Sequence, residues 1–281
     1  MALRMAQDMS EPISQDSQRL PSDNRNYPVR DPFGLKIIDS EKFGDQLRKK
    51  LEEKNIRKEY PEKKRKTVFA EDIAERFSDL LAENVPQCGF EPPSSGRINI
   101  LDIGCGFAVE ADVVSSYFSG DDFNAKGVEG VSFFGIDNNP ESIERVRQKY
   151  SSTPKSGYTF ILGDATRLED YPEVPRKVHV VIFRHPKITE DKKTGGTWSK
   201  MFEEARKRLA DGGIAIFTTY MREEQEILVD ELNQLGYEVV IKKKNEQAIP
   251  IPDEQTTPIS NVSKGAYDGY VLIARASRGN S

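Results

Sequence analysis

The chain has 281 residues, 36% hydrophobic and 31% charged, with a formal net charge of −5. That length and a modest apolar fraction fit one domain with polar appendages. No apolar run approaches the ~20 residues of a membrane span, and the acidic balance argues against a dedicated nucleic-acid binder. Two cysteines, Cys88 and Cys105, and two histidines, His179 and His185, make neither a disulfide framework nor a zinc-ligand spacing. With no metal site expected and no apolar core of a signal peptide at the N-terminus, a reducing cytoplasmic setting is the expectation.

Residues 1 to about 35 are rich in Ser, Asp, Gln, Asn and Pro without periodicity, a composition expected to be disordered or loosely draped. From Ser40 to Lys58 the pattern is helical and almost wholly polar, with Phe43, Leu47 and Leu51 as a narrow apolar stripe. Between Glu41 and Lys66 there are eleven Lys/Arg against six Asp/Glu, densest at Lys63-Lys64-Arg65-Lys66, which leaves about −10 for the rest of the chain. This stretch reads as a solvated helix face, or alternatively as a basic arm for RNA. A boundary near residue 65 separates this N-terminal extension, 1–65, from a domain over 66–281.

Thr67 can cap a helix whose Phe69, Ile73, Phe77, Leu80 and Leu81 share one face. The Gly/Pro-rich stretch 87–96 then delivers the chain to a buried strand at 98–103. Asp102 ends that strand, Gly104 and Gly106 follow, and a helix is expected over 108–118. A glycine turn between strand and helix lets backbone amides approach a ligand closely, because no Cβ stands in the way. A carboxylate just before the turn repels a pyrophosphate and suits a cationic or hydroxyl-bearing ligand.

Strand and helix alternate from there: strands at 132–136, 158–162, 179–183 and 214–217, with helices after Pro140, around Phe202 and around Leu228. Asn138 or Asn139 caps the helix beginning with Pro140. Strands at 239–241 and 270–273, with no helix between them, can pair antiparallel across a loop of more than 20 residues, long enough to suggest a substrate cover. The pattern predicts an α/β fold: a doubly wound, seven-stranded, mostly parallel sheet with an antiparallel terminal hairpin. Ligands of such sheets bind beyond the carboxyl ends of the strands, and these ends read Asp102, Asp137, Asp164 and Arg184-His185.

The run Asp102-Ile-Gly104-Cys-Gly106-Phe-Ala108 resembles motif I of the class I S-adenosylmethionine-dependent methyltransferases, and the strand pattern over roughly 65–276 is similar to their Rossmann-like sheet. The dinucleotide fingerprint fits less well, having Val109 at its third small position and no acid about 20 residues on. The resemblance implies S-adenosylmethionine as cofactor, with Asp137 on its ribose, Asp164 and Ala165 at its adenine, and Asp102, Gly104 and Gly106 along its methionyl part. Asn138, beside Asp137, is a further candidate contact. It also implies a methyl acceptor at the end of the 179–183 strand. There Phe183-Arg184-His185-Pro186-Lys187 departs from the Pro-Pro-aromatic motif of enzymes that methylate nucleobase amino groups.

His185 is either a general base, with an ordinary pKa near 6.5, or a packed structural histidine. Arg184 pairs with an anionic group of the acceptor or with the site's own aspartates. These two are the catalytic candidates. The favoured partner is a small-molecule substrate. RNA methylation through the basic arm, in a faint likeness to the tRNA guanine-N7 enzymes, is the alternative, as is a non-catalytic cofactor-binding protein. No membrane partner is expected, and nothing in the sequence sets the oligomeric state.

Overall fold

A computed structural model describes residues 70–151, 157–191, 196–250 and 266–277. The expectations for residues 1–65, for Thr67 as a cap, and for most of the loop before the last strand lie outside them.

Helix α1 (Ala70–Asn84) buries Phe77, Leu80 and Leu81 on one face, as the i, i+3, i+4 spacing requires. After a 3₁₀ turn (Val85–Gln87) come β1 (Gly96–Ile103), α2 (Ala111–Phe118), the one-turn α3 (Asp121–Asn124), β2 (Val128–Asp137), α4 (Pro140–Ser151) and β3 (Tyr158–Leu162). The second half runs β4 (Val178–Arg184), α5 (Ile188–Asp191), α6 (Thr197–Arg208), β5 (Leu209–Thr219), α7 (Arg222–Gln234), β6 (Tyr237–Lys244), the short β7 (Ile249–Pro250) and β8 (Ala266–Tyr267), and β9 (Tyr270–Ala276).

Seven strands form one sheet in the order β3-β2-β1-β4-β5-β9-β6, with β9 antiparallel to both neighbours and the other neighbouring pairs parallel. The expected hairpin is present, and its last strand inserts between β5 and β6. Two apolar layers cover the sheet. One holds Phe77, Ile98, Ile100, Phe118, Phe133 and Ile273, and the other Leu101, Ile103, Phe183, Phe202, Phe217 and Leu228. Alternate residues of β1 thus serve opposite faces, the period-2 geometry of a strand buried on both sides.

Strand ends shift from the sequence reading where pairing extends them. β2 begins at Val128, ahead of the expected start at 132, because Gly96 pairs with it there. The first helix of the sheet starts at Ala111, since the backbone turns through positive φ at Gly104, Gly106 and Ala108. The long loop carries an unforeseen two-stranded ladder, β7–β8. Its four residues are too few to leave a periodic signal.

Strand order reverses between β1 and β4, whose crossovers run to opposite sides of the sheet. The carboxyl ends of these strands diverge there and leave the crevice in which open α/β sheets bind ligands.

Candidate functional site

The crevice is floored by the turn after β1. The glycine amides were expected to face a ligand, and they do not. Gly104 N and Cys105 N both donate to the Ile136 carbonyl, at 2.8 and 3.2 Å, and Gly106 N donates to Asp137 Oδ2 at 2.9 Å. The glycines therefore permit the fold and a close approach rather than supply donors. With these three donors taken by the Ile136 carbonyl and the Asp137 side chain, a pyrophosphate finds none of the amides that the dinucleotide reading would draw from Gly104, Cys105 and Gly106.

Asp137 ends β2 beside that turn, half-buried. Its Oδ2 holds Gly106 N, and its Oδ1 accepts from Asn139 N at 2.7 Å. The carboxylate is fixed by two N–H donors, and each oxygen keeps a further lone pair for a hydroxyl. Asn139, rather than Asn138, caps α4: its Oδ1 accepts from Glu141 N and Ser142 N at 3.0 and 3.2 Å. Asn138 is exposed at the same rim.

Across the β2–β3 edge, Asp164 accepts from Thr166 N and Thr166 Oγ1 at 2.9 and 2.7 Å, capping a 3₁₀ turn (Ala165–Asp170). Those bonds hold its carboxyl below the usual range. Gly163 before it has no room for a side chain, since a Cβ there would lie 2.4 Å from Tyr171 Cζ. Ala165 and Ile136 are buried behind these acids.

Asp102 is 1% exposed, and its Oδ2 has no hydrogen-bond partner. Burial, and then the Glu110 carboxyl facing it, push its pKa well up. Cys105, buried beside these carboxylates, has its thiol pushed up as well, first by burial and then by Asp102.

Arg184, for which the sequence left two roles open, pairs with the protein's own acids. Nη1 meets Glu110 Oε2 at 3.1 Å, Nη2 meets Asp268 Oδ2 at 2.8 Å and Nε meets Asp268 Oδ1 at 3.2 Å. Its guanidinium lies 4.9 Å from the ring centre of Phe77 on α1. Against the cost of burial, Asp268 and Glu110 keep it firmly protonated.

His185, at φ 53, stacks on Tyr220 with ring centres 3.9 Å apart. Its Nε2 accepts from Asp268 N at 3.0 Å and lies 3.1 Å from Asp268 Oδ1. Burial lowers its pKa, with Asp268 acting in the opposite sense. The imidazole so placed is a packed, neutral ring at the carboxyl end of β4.

Asp268, in the turn between β8 and β9, is the centre of this cluster and was invisible in the sequence. Its only sequence signal is its place in Tyr267-Asp268-Gly269, which reads as an ordinary turn. Asn245 Nδ2 donates to its carbonyl at 3.0 Å, tying the end of β6 to the same point.

One consequence can be measured directly. Asp102 binds a proton in the folded chain at pH values where the unfolded chain, near ~3.9, has lost it, so its contribution to stability falls as pH rises through that window. Asp102→Asn, whose amide can donate to Glu110, should be at least as stable as the parent at pH 7, by up to about 2 kcal/mol. Urea unfolding at pH 7 and pH 5 should show the two chains converging in acid.

The residues fit a cofactor with a ribose and a positive centre. Asp137 offers lone pairs to a diol, a Cβ at Gly106 would meet nothing within 4 Å, and Asp102 holds a buried oxygen without a hydrogen-bond partner beneath the turn. A seven-stranded sheet with this order and such a crevice defines a Rossmann-like methyltransferase fold.

The comparisons with known proteins agree. Residues 94–264 match the family model described as a methyltransferase domain, and the chain belongs to that family. It is an S-adenosylmethionine-dependent methyltransferase of class I. Phe77 and Asp268, which close the Arg184 cluster, lie on either side of the matched segment. Among solved structures, the [4+2]-cyclase SpnF aligns with TM-score 0.50 at 16% identity, covering 72% of this chain and 80% of that one. Fibrillarin from Aeropyrum pernix, with natively bound S-adenosyl-L-methionine, gives 0.45 at 16% over 69% and 74%. An rRNA methylase from Streptococcus thermophilus gives 0.44 at 15% over 72% and 95%. No curated protein matches the sequence. Among the described residues no helix is long and apolar enough to cross a membrane.

Proposed function

We propose that the cofactor lies along the turn after β1, with Asp137 on its ribose, Asn138 at the rim beside it, Asp164 and Ala165 at the adenine end, and Asp102, Gly104 and Gly106 along the methionyl end, and that the methyl acceptor is a small molecule met at the end of β4. The observation that carries this reading is the turn itself: two of its amides are taken by the Ile136 carbonyl and a third by the Asp137 carboxylate, which favours a hydroxyl-bearing or cationic ligand over an anionic one. The cofactor supplies a methyl group on a sulfonium, already activated for displacement. The protein's share is alignment, and proximity can contribute ~7–11 kcal/mol of the barrier.

At the acceptor end, His185, Tyr220 and Tyr267 form an aromatic cluster, with Tyr267 5.9 Å from Tyr220 and 6.2 Å from His185 between ring centres. Such a wall suits a flat or apolar acceptor. Arg184 acts here by position, joining Glu110 beside the cofactor turn to Asp268 beside that wall. His185 touches the acceptor through its ring face or edge, and its low basicity supports proton uptake only from an acceptor that loses its proton easily. The acids of the crevice would repel the phosphates of RNA. SpnF, a cyclase by name on the same fold, shows that the fold by itself does not name the reaction.

The test is transfer of radiolabelled methyl from S-adenosylmethionine into a size-fractionated extract. Label in the small-molecule fraction supports the reading. Label on RNA, with binding that weakens in salt and on neutralising Lys63, Lys64, Arg65 and Lys66, would replace it. Binding of S-adenosylhomocysteine without label anywhere would leave a cofactor-binding protein that does not transfer.

A further inference from the structure

Trp198 is the chain's single tryptophan and stands in the first turn of α6. Its six-membered ring rests against the turn after β1: a Cβ built on Gly104 would lie 3.4 Å from Trp198 Cη2 and 4.0 Å from Cζ3. Gly104 holds φ +74 there, and a side chain would be strained as well as crowded. At Gly106, two residues on, the same construction meets nothing within 4 Å. The crevice is thus walled by an indole at one glycine and open at the other.

The ring is held from behind. Phe202, one turn along α6, tilts against it with centres 6.2 Å apart, and Phe202 is itself locked edge-on between Phe183 and Phe217 at 4.8 and 5.4 Å. Trp198 is half-buried, so part of its surface stays accessible. Asp102 ends the strand that leads into the same turn, with Glu110 facing it, and Asp137 fixes the turn at Gly106. An aromatic face on the same turn as the Asp137 carboxylate is a favourable place for a weakly hydrated cation.

We infer that Trp198 contacts the cofactor over Gly104 and distinguishes the charged methyl donor from its neutral, demethylated product by attraction between the sulfonium and the indole ring. The inference rests on the cofactor lying along this turn, and it adds a binding residue from α6, an element outside the glycine turn and the strand-end acids. It also gives turnover a direction: once the methyl has left, the charge that the indole holds is gone and the product is released more readily.

The single indole reports on its own surroundings. With the full chain, titration by S-adenosylmethionine and by S-adenosylhomocysteine should each change the tryptophan emission, and the donor should bind more tightly than the product. Trp198→Leu, which keeps an apolar wall without a π face, should weaken donor binding about 5- to 30-fold, measured by calorimetry, and product binding less than about threefold. Trp198→Phe should keep most of the preference. Circular dichroism checks that both variants fold, and the phenylalanine variant carries the test if the leucine variant does not. Equal losses for donor and product in Trp198→Leu would make the ring a plain apolar wall and overturn the inference, as would unchanged affinities for both. A parent chain that binds both compounds with unmoved emission also refutes the contact while leaving the crevice reading intact. A parent chain that takes up neither compound removes the crevice reading and this inference together.

Discussion

Asp268→Ala should lower the free energy of unfolding by about 3–5 kcal/mol, the cost of leaving one member of a buried ion pair without its partner. The side chains of Arg184 and Asp268 are 10% and 3% exposed, and two of the guanidinium's three nitrogens are bound to Asp268. Truncation strands the cation above the apolar ring of Phe77, with Glu110 as its remaining acid contact. Alanine also fits poorly at φ 50, where asparagine is tolerated. Asp268→Asn therefore separates charge from backbone: if charge dominates, it should lose most of what alanine loses.

The pH dependence has a definite sign. Desolvation works to raise the Asp268 pKa, but the Arg184 guanidinium beside it holds it far below the carboxylate range. The stabilisation is complete above the unfolded value, near ~3.9, and is lost as pH falls from there toward the folded value. Parent and variant should differ most near neutrality, and the difference should begin to shrink below about pH 4. Urea unfolding at pH 7 and pH 3 reads both numbers. A neutral-pH difference under about 1 kcal/mol would mean that the cluster is not held by its charges.

Asp137→Ala should weaken binding of S-adenosylhomocysteine about 100-fold in calorimetry, since hydrogen bonds to a charged group contribute about 1.5–3 kcal/mol each and two ribose hydroxyls are at stake. Two effects add. The acceptor for the diol disappears, and Gly106 N and Asn139 N lose the carboxylate that sets the shape of the turn. Asp137→Asn should do little better, because its amide would turn an N–H₂ group toward one of two N–H donors. Affinity within threefold of the parent for both variants would place the ribose elsewhere.

The fold was largely legible because its signals are local. Apolar runs such as Ile98–Ile103 and Tyr158–Leu162 are strands by periodicity, and Asn139-Pro140 marks a helix start by its capping chemistry. Strand-end acids follow from the rule that ligands bind at carboxyl ends, so Asp102, Asp137 and Asp164 stood out. Asp137 and Asp164 do sit at the rim, while Asp102 lies fully beneath the turn. Less legible was which hydrogen bonds each group would make. Asp164 is both strand-end acid and turn cap, and the letters Gly163-Asp164-Ala165-Thr166 are compatible with either alone.

What the sequence determined by itself is the alternation of strand and helix, the glycine turn after β1 and the acids at successive strand ends, since each depends on residues within one element of one another. What only the tertiary structure decided is how those groups pair. Arg184 meets an acid 84 positions later in the chain, its guanidinium lies over a ring of α1, and Trp198 of α6 rests on Gly104 of the turn. Such contacts are made by parallel crossovers and by the insertion of β9 between β5 and β6, and they leave no period or spacing along the chain. Their physical cause is burial: once the sheet closes over Arg184, its charge must be met by whichever carboxylates the topology brings within reach.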